Sequence, residues 1–122
     1  MNNIVDNPIV IKSKAFAIRI VNLYKHLRFD KKEYVMSQQV LKSGTSIGAN
    51  IHEALRGQSK SDFNAKMYIS LKEASETEYW IELLRDTDYI TREAAQSILL
   101  DCNELIKMLV KITKTTTHKI NS

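Results

Sequence analysis

The sequence predicts an all-α fold: an antiparallel, up-down four-helix bundle that takes residues 1–122 as a single domain. Three observations lead there. Glycine occurs three times and proline once, far fewer turn formers than an all-β chain needs. Four stretches repeat apolar residues at spacings of three and four. Short polar connections separate them, which makes consecutive helices antiparallel neighbours. A chain of 122 residues can bury a core without disulfides or metals. The helices are expected over approximately 8–28, 37–57, 61–86 and 92–115.

The first helix starts at Pro8, a good first-turn residue. Phe16, Ile20, Leu23 and Leu27 form its apolar stripe, and "FDKKEY" reads as the connection that follows. In the second helix Val40, Gly44, Ile47, Ile51 and Ala54 keep the helical spacing through "LKSGTSIGANIHEA". Gly44 and Gly48 lie four apart on one face, and each costs up to about 1 kcal/mol inside a helix. A stripe of small residues that lets another helix approach closely would offset that cost. Gly57 ends this helix, and Ser59 or Ser61 caps the next. Phe63, Met67, Leu71, Ala74, Ile81 and Leu84 give the third helix its apolar face. Thr91 caps the fourth, whose stripe runs through Ala95, Ile98, Cys102, Leu105, Leu109 and Ile112.

Patterns that would carry chemistry fall short. The glycines are not followed by the lysine a phosphate-binding loop requires, and no strand precedes them. His52-Glu53 lacks the second histidine of a zinc protease, since Arg56 occupies that place. No glutamate has a histidine three positions later, as a di-metal carboxylate bundle needs. Cys102 lies on an apolar stripe, the setting of a packing residue rather than a nucleophile. These absences predict a protein that is not an enzyme, with no catalytic residues, no metal and no cofactor. No apolar run approaches the roughly 20 residues of a membrane span. The first ten residues lack the pattern of a signal peptide. With one cysteine and so no internal disulfide, these features predict a cytoplasmic protein that meets no membrane.

The net charge is +4, unevenly placed. Residues 12–32 are basic, no acid follows Glu104, and Glu73, Glu76, Glu78, Glu82, Asp86 and Asp88 crowd residues 73–88. Separated blocks of opposite sign suggest that one surface meets another. Lys107, Lys111, Lys114 and His118 share one stripe of the fourth helix, and Lys14, Lys25, Arg28 and Lys32 share one side of the first. Such stripes can track a phosphate backbone, so the six lysines and Arg28 are the candidate nucleic-acid contacts. Their alternative role is as solvated charge near helix C-termini.

Residues 37–84 also carry a family pattern: Ser37-Gln38, then Ser46-Ile47, Asn50-Ile51 and Glu53, a basic serine-rich turn at 59–61, Asp62-Phe63, and a helix with Ala74 to Glu78. The stretch resembles the four-helix-bundle proteins of the 23S rRNA intervening-sequence (S23) family. It departs from them at Asp88, where a glycine is usual in the turn, and at His52, where alanine is frequent. The resemblance implies a bundle that assembles into a homopentameric ring. It also links the fold to basic accessory proteins of diversity-generating retroelements, which bind a reverse transcriptase and nucleic acid. The expected function is therefore a non-catalytic homo-oligomeric adaptor, with RNA, DNA or a reverse transcriptase as partner. The alternative is a structural oligomer with no nucleic-acid role. A ring uses head-to-tail interfaces between two different surfaces, so the acidic third helix is expected to face the basic first helix of the next copy. Asn50, Glu53, Glu76 and Glu78 are the candidate interface or polar-network residues.

Overall fold

The computed structural model describes residues 6–121. The first five residues, on which the reading of the amino terminus partly rests, lie outside them, as does Ser122. Four helices follow one another: α1 (Pro8–Lys25), α2 (Met36–Leu55), α3 (Lys60–Asp86) and α4 (Arg92–Asn121). No strand occurs among the described residues. Each helix packs on the next around the bundle, α4 closes weakly against α1, and α1 and α3 lie diagonally opposite. Phe16, Ile20, Ile47, Ile51, Met67, Ile81, Leu105 and Leu109 are almost wholly buried at the centre.

The helix starts follow from capping. Asn7 Oδ1 accepts from the Ile9 amide at 3.1 Å, Ser59 Oγ from Asp62 at 3.0 Å, and Thr91 Oγ1 from Ala94 at 3.1 Å. α2 is capped from a distance. Val35 at its N-cap offers no side-chain bond. Instead the Glu33 carboxylate accepts from the amides of Ser37 at 2.8 Å and Val35 at 3.3 Å.

One boundary and two local conformations differ from the sequence reading. The first helix does end near Arg28, but by widening into a π-helical turn over His26–Asp30, with the Lys31 amide reaching back to His26 O at 3.1 Å. α4 continues past residue 115 to Asn121. Its threonines turn their hydroxyls onto their own helix, Thr113 to Leu109 O at 2.9 Å and Thr116 to Ile112 O at 2.8 Å. Thr117 meets Asn64 of α3 at 3.0 Å, so tertiary contact holds a threonine-rich turn that propensity alone disfavours. Gly57 does follow α2, yet it has no left-handed backbone. Its value is closeness: a Cβ there would sit 3.1 Å from Ala54 O and 3.4 Å from the Phe63 amide.

Asp88 does adopt the left-handed backbone, with φ 67°. The amides of Asp88 and Tyr89 reach back to Arg85 O at 3.1 Å and Leu84 O at 2.9 Å, the paired bonds of a Schellman ending. Glycine suits this position best, and aspartate is among the few side chains that tolerate it. The departure from the family pattern therefore falls where the backbone demands glycine-like freedom.

The small residues of α2 serve two neighbours. Gly44 faces α1, where a Cβ would lie 2.7 Å from both Ile20 Cγ atoms; at Gly48 it would lie 3.3 Å from Ser13 Oγ. On the α3 side Thr77 Oγ1 lies 2.9 Å from Ser43 Oγ and 2.7 Å from Glu73 O, and Ser70 Oγ donates to Ile47 O at 2.8 Å. These buried hydroxyls are satisfied, whereas the Ser37 hydroxyl at the start of the helix is buried without a partner.

Candidate nucleic-acid interface

The predicted cations fall into separate places. Lys107, Lys111 and Lys114 are exposed on the outer face of α4. α4 runs antiparallel to α1, as the Lys12–Glu104 and Arg19–Asp101 ion pairs show. The α4 lysines therefore sit toward the end where α1 begins. Lys25, Arg28 and Lys32 sit at the other end, on the order of 25–30 Å away along the bundle at 1.5 Å per residue. Lys14 joins neither group. It lies on the outside of α1 in a shallow apolar groove with Ile11, Ala15, Ile18 and His52.

The end with Lys25, Arg28 and Lys32 holds more than the sequence reading assigned to it. "FDKKEY" was expected to be a plain connection. In the structure Phe29, Tyr34 and Val35 are 60%, 50% and 71% exposed, and Lys31 is exposed beside Lys32. The Arg28 guanidinium lies 5.3 Å from the Tyr34 ring centroid and 5.9 Å from that of Phe29, within cation–π range. The signal was present in the sequence as aromatic residues interleaved with lysines. Of the local acids, Asp30 is engaged with His26 at 3.1 Å and Glu33 is buried on backbone amides. The corner's outward charge is positive.

The candidate polar residues make contacts inside their own chain. Asn50 Nδ2 donates to Ser46 O at 2.8 Å, and Glu53 pairs with Lys66 of α3 at 3.5 Å. Glu76 accepts from Trp80 Nε1 at 3.4 Å. Glu76 and Glu78 do not share a face: Glu76 is exposed, while Glu78 is half-buried and acts on Cys102. Around Glu76 on the outer face of α3 lie Tyr79, 57% exposed, and the exposed Glu82.

Cys102 packs as expected. It is fully buried, and its Sγ lies 3.4 Å from Ala74 O. Burial, helped by the Glu78 and Glu82 carboxylates, pushes its thiol up from 9.0 to about 12. The folded state thus holds the thiol proton more tightly than the unfolded chain. The resulting stability is intact below about pH 9 and is lost as pH rises toward 12, at up to about 1.4 kcal/mol per pH unit. Cys102→Ala is expected to flatten that part of the alkaline stability profile measured by denaturant titration; parallel profiles would contradict it. No group of three His, Cys, Asp or Glu side chains gathers to hold a metal among the described residues. Among the same residues no helix is long and apolar enough to cross a membrane.

Comparison with known proteins agrees with this architecture. Residues 6–111 match the family model of the 23S rRNA-intervening sequence protein. No functionally curated protein matches the chain. A solved structure from Bacteroides thetaiotaomicron VPI-5482, described as a protein with unknown function from the S23 ribosomal protein family, is 58% identical. That match covers 87% of this chain and 98% of the other, with a TM-score of 0.86. The chain therefore belongs to the 23S rRNA-intervening sequence protein family.

Proposed function

We propose that the protein is a non-catalytic, homo-oligomeric bundle that acts as an adaptor, presenting basic surfaces to nucleic acid or to a nucleic-acid enzyme. The observation that carries this reading is the segregation of charge. Among the described residues, Lys14, Lys25, Lys31, Lys32, Lys107, Lys111 and Lys114 meet no acidic side chain within 4.0 Å. The unpaired acids Glu76 and Glu82 stand instead on the outer face of α3. Free lysines attract a polyanion, and binding releases its counterions. A reverse transcriptase is the enzyme class suggested by the likeness to retroelement accessory proteins, and a reducing cytoplasm suits the lone buried thiol.

Assembly follows from the same segregation. On α1, Ile11 and Ile18 are 54% and 55% exposed beside Lys14. On the diagonal helix α3, Tyr79 is exposed between Glu76 and Glu82. One face is apolar and basic, the other is apolar with Glu76 and Glu82 outnumbering Lys72, and they point to different sides of the bundle. That complementarity suits a head-to-tail ring, a pentamer on the family resemblance. Light scattering is expected to give a multiple of the 14.0 kDa chain mass. Ile18→Asp, or Glu76→Lys with Glu82→Lys, should lower it by disrupting opposite sides of one interface. A monomeric wild-type protein, or an unchanged mass in both outward variants, contradicts the interface. An oligomer with no affinity for nucleic acid at low salt would leave the structural role, which the exposed Ile11, Ile18 and Tyr79 favour.

A further inference from the structure

We infer that the corner between α1 and α2 is a stacking site for single-stranded nucleic acid: Phe29 and Tyr34 offer ring faces to unpaired bases, while Lys25, Arg28, Lys31 and Lys32 meet the phosphates. The inference rests on the nucleic-acid reading above and adds the type of strand and the place it binds.

The corner is built to expose rings that the bundle has no reason to leave in water. Phe29 and Tyr34 are 60% and 50% exposed, though either would stabilise the fold if buried. The local backbone holds them out. The π-helical turn re-aims the side chains of residues 26–30, and such turns frequently mark functional sites. Lys32 takes a left-handed backbone with φ 57°, a conformation that a lysine adopts only when its surroundings impose it. The next residue supplies that constraint. Glu33 is buried, its amide donates to Leu27 O at 2.9 Å, and its carboxylate holds the first amides of α2. A buried carboxylate thus clamps a loop whose outward side chains are aromatic and cationic.

The arrangement selects among ligands. Arg28 sits over one side of each ring, so a base would stack on the ring surface that remains exposed beside that positive charge. Proteins that hold single strands combine this aromatic and cationic surface. A duplex keeps its base faces stacked internally and offers the rings nothing. Charge complementarity favours a polyanion, because the four cations outnumber the local acids Asp30 and Glu33.

The test is fluorescence anisotropy at low salt with labelled oligo-U, oligo-dT and a duplex, each about 12 nucleotides long, within the usual site range. Phe29→Ala with Tyr34→Ala is expected to weaken both single strands at least about fivefold, the lower end of what one lost base stack costs. Duplex affinity, the thermal melt and the oligomer mass should stay as in wild type, because the rings are exposed. Lys31→Ala with Lys32→Ala should weaken strand and duplex together. Unchanged single-strand affinity in the ring variant overturns the stacking site, and leaves the adaptor reading intact if Lys107→Ala with Lys111→Ala abolishes binding. A lowered mass with unchanged strand affinity makes the corner an interface between copies and overturns the site as well. Wild-type protein that binds neither strand nor duplex overturns both the site and the adaptor reading.

Discussion

Gly44→Ala is expected to destabilise the bundle by up to about 2 kcal/mol, although alanine is the better helix former. The substitution gains up to about 1 kcal/mol of helix propensity. It also drives a methyl group to 2.7 Å from both Cγ atoms of Ile20. Ile20 is completely buried, so it has nowhere to turn, and overpacking a filled core costs about 1–3 kcal/mol, occasionally more. The loss should therefore exceed the gain, lowering the melting temperature by up to roughly 8 °C for a chain of this size. Gly48→Ala supplies the control. Its methyl would meet Ser13 Oγ at 3.3 Å, a contact that a small shift relieves, and the net effect should stay within about 0.5 kcal/mol. Equal melting temperatures for the two variants would show that Gly44 is not needed for the approach of α1.

Glu33→Ala is expected to cost about 2–3 kcal/mol. Glu33 is only 9% exposed, and it is the sole side-chain acceptor for the amides that open α2. Removing it strands the buried Ser37 amide, and a buried unpaired donor costs on the order of 1–3 kcal/mol, while the amide of the exposed Val35 can turn to water. It also removes a negative charge from a helix N-terminus, where the macrodipole favours one. Glu33→Gln keeps the shape and one acceptor oxygen, so it should lose about half as much. Urea denaturation should show a lower midpoint at an unchanged slope. A loss below about 0.5 kcal/mol for the alanine variant would mean that water or another group takes over the cap.

The reach of sequence reading can be judged on particular residues. Pro8 and Thr91 placed two helix starts correctly, because caps are local chemistry that the chain states outright, and of the two serines offered for the third helix the structure uses Ser59. The slim face of α2 was legible for a similar reason: glycines at helical spacing have a cost that only packing offsets. Glu33 was not legible. A glutamate in a polar connection looks solvated, and only the folded corner reveals that it turns inward onto backbone amides. The extension of α4 to Asn121 was hidden likewise, since Asn64 and Thr117 meet only once α3 and α4 align. At the candidate interface the cations were readable one by one, but their division between two ends needed the antiparallel pairing of α1 with α4. The rings of Phe29 and Tyr34 were passed over because "FDKKEY" has no helical period, while their exposure depends on the π turn and the buried clamp.

The adaptor reading is tested most directly by the salt dependence of oligo-U binding to the wild-type protein. Contact with the four corner cations predicts that affinity falls by about 50-fold between roughly 50 and 200 mM monovalent salt, given the single-strand slope of counterion release. More cations contributed by neighbouring copies would steepen the fall. Binding that is absent at the lower salt, or that persists unchanged at the higher, would contradict it.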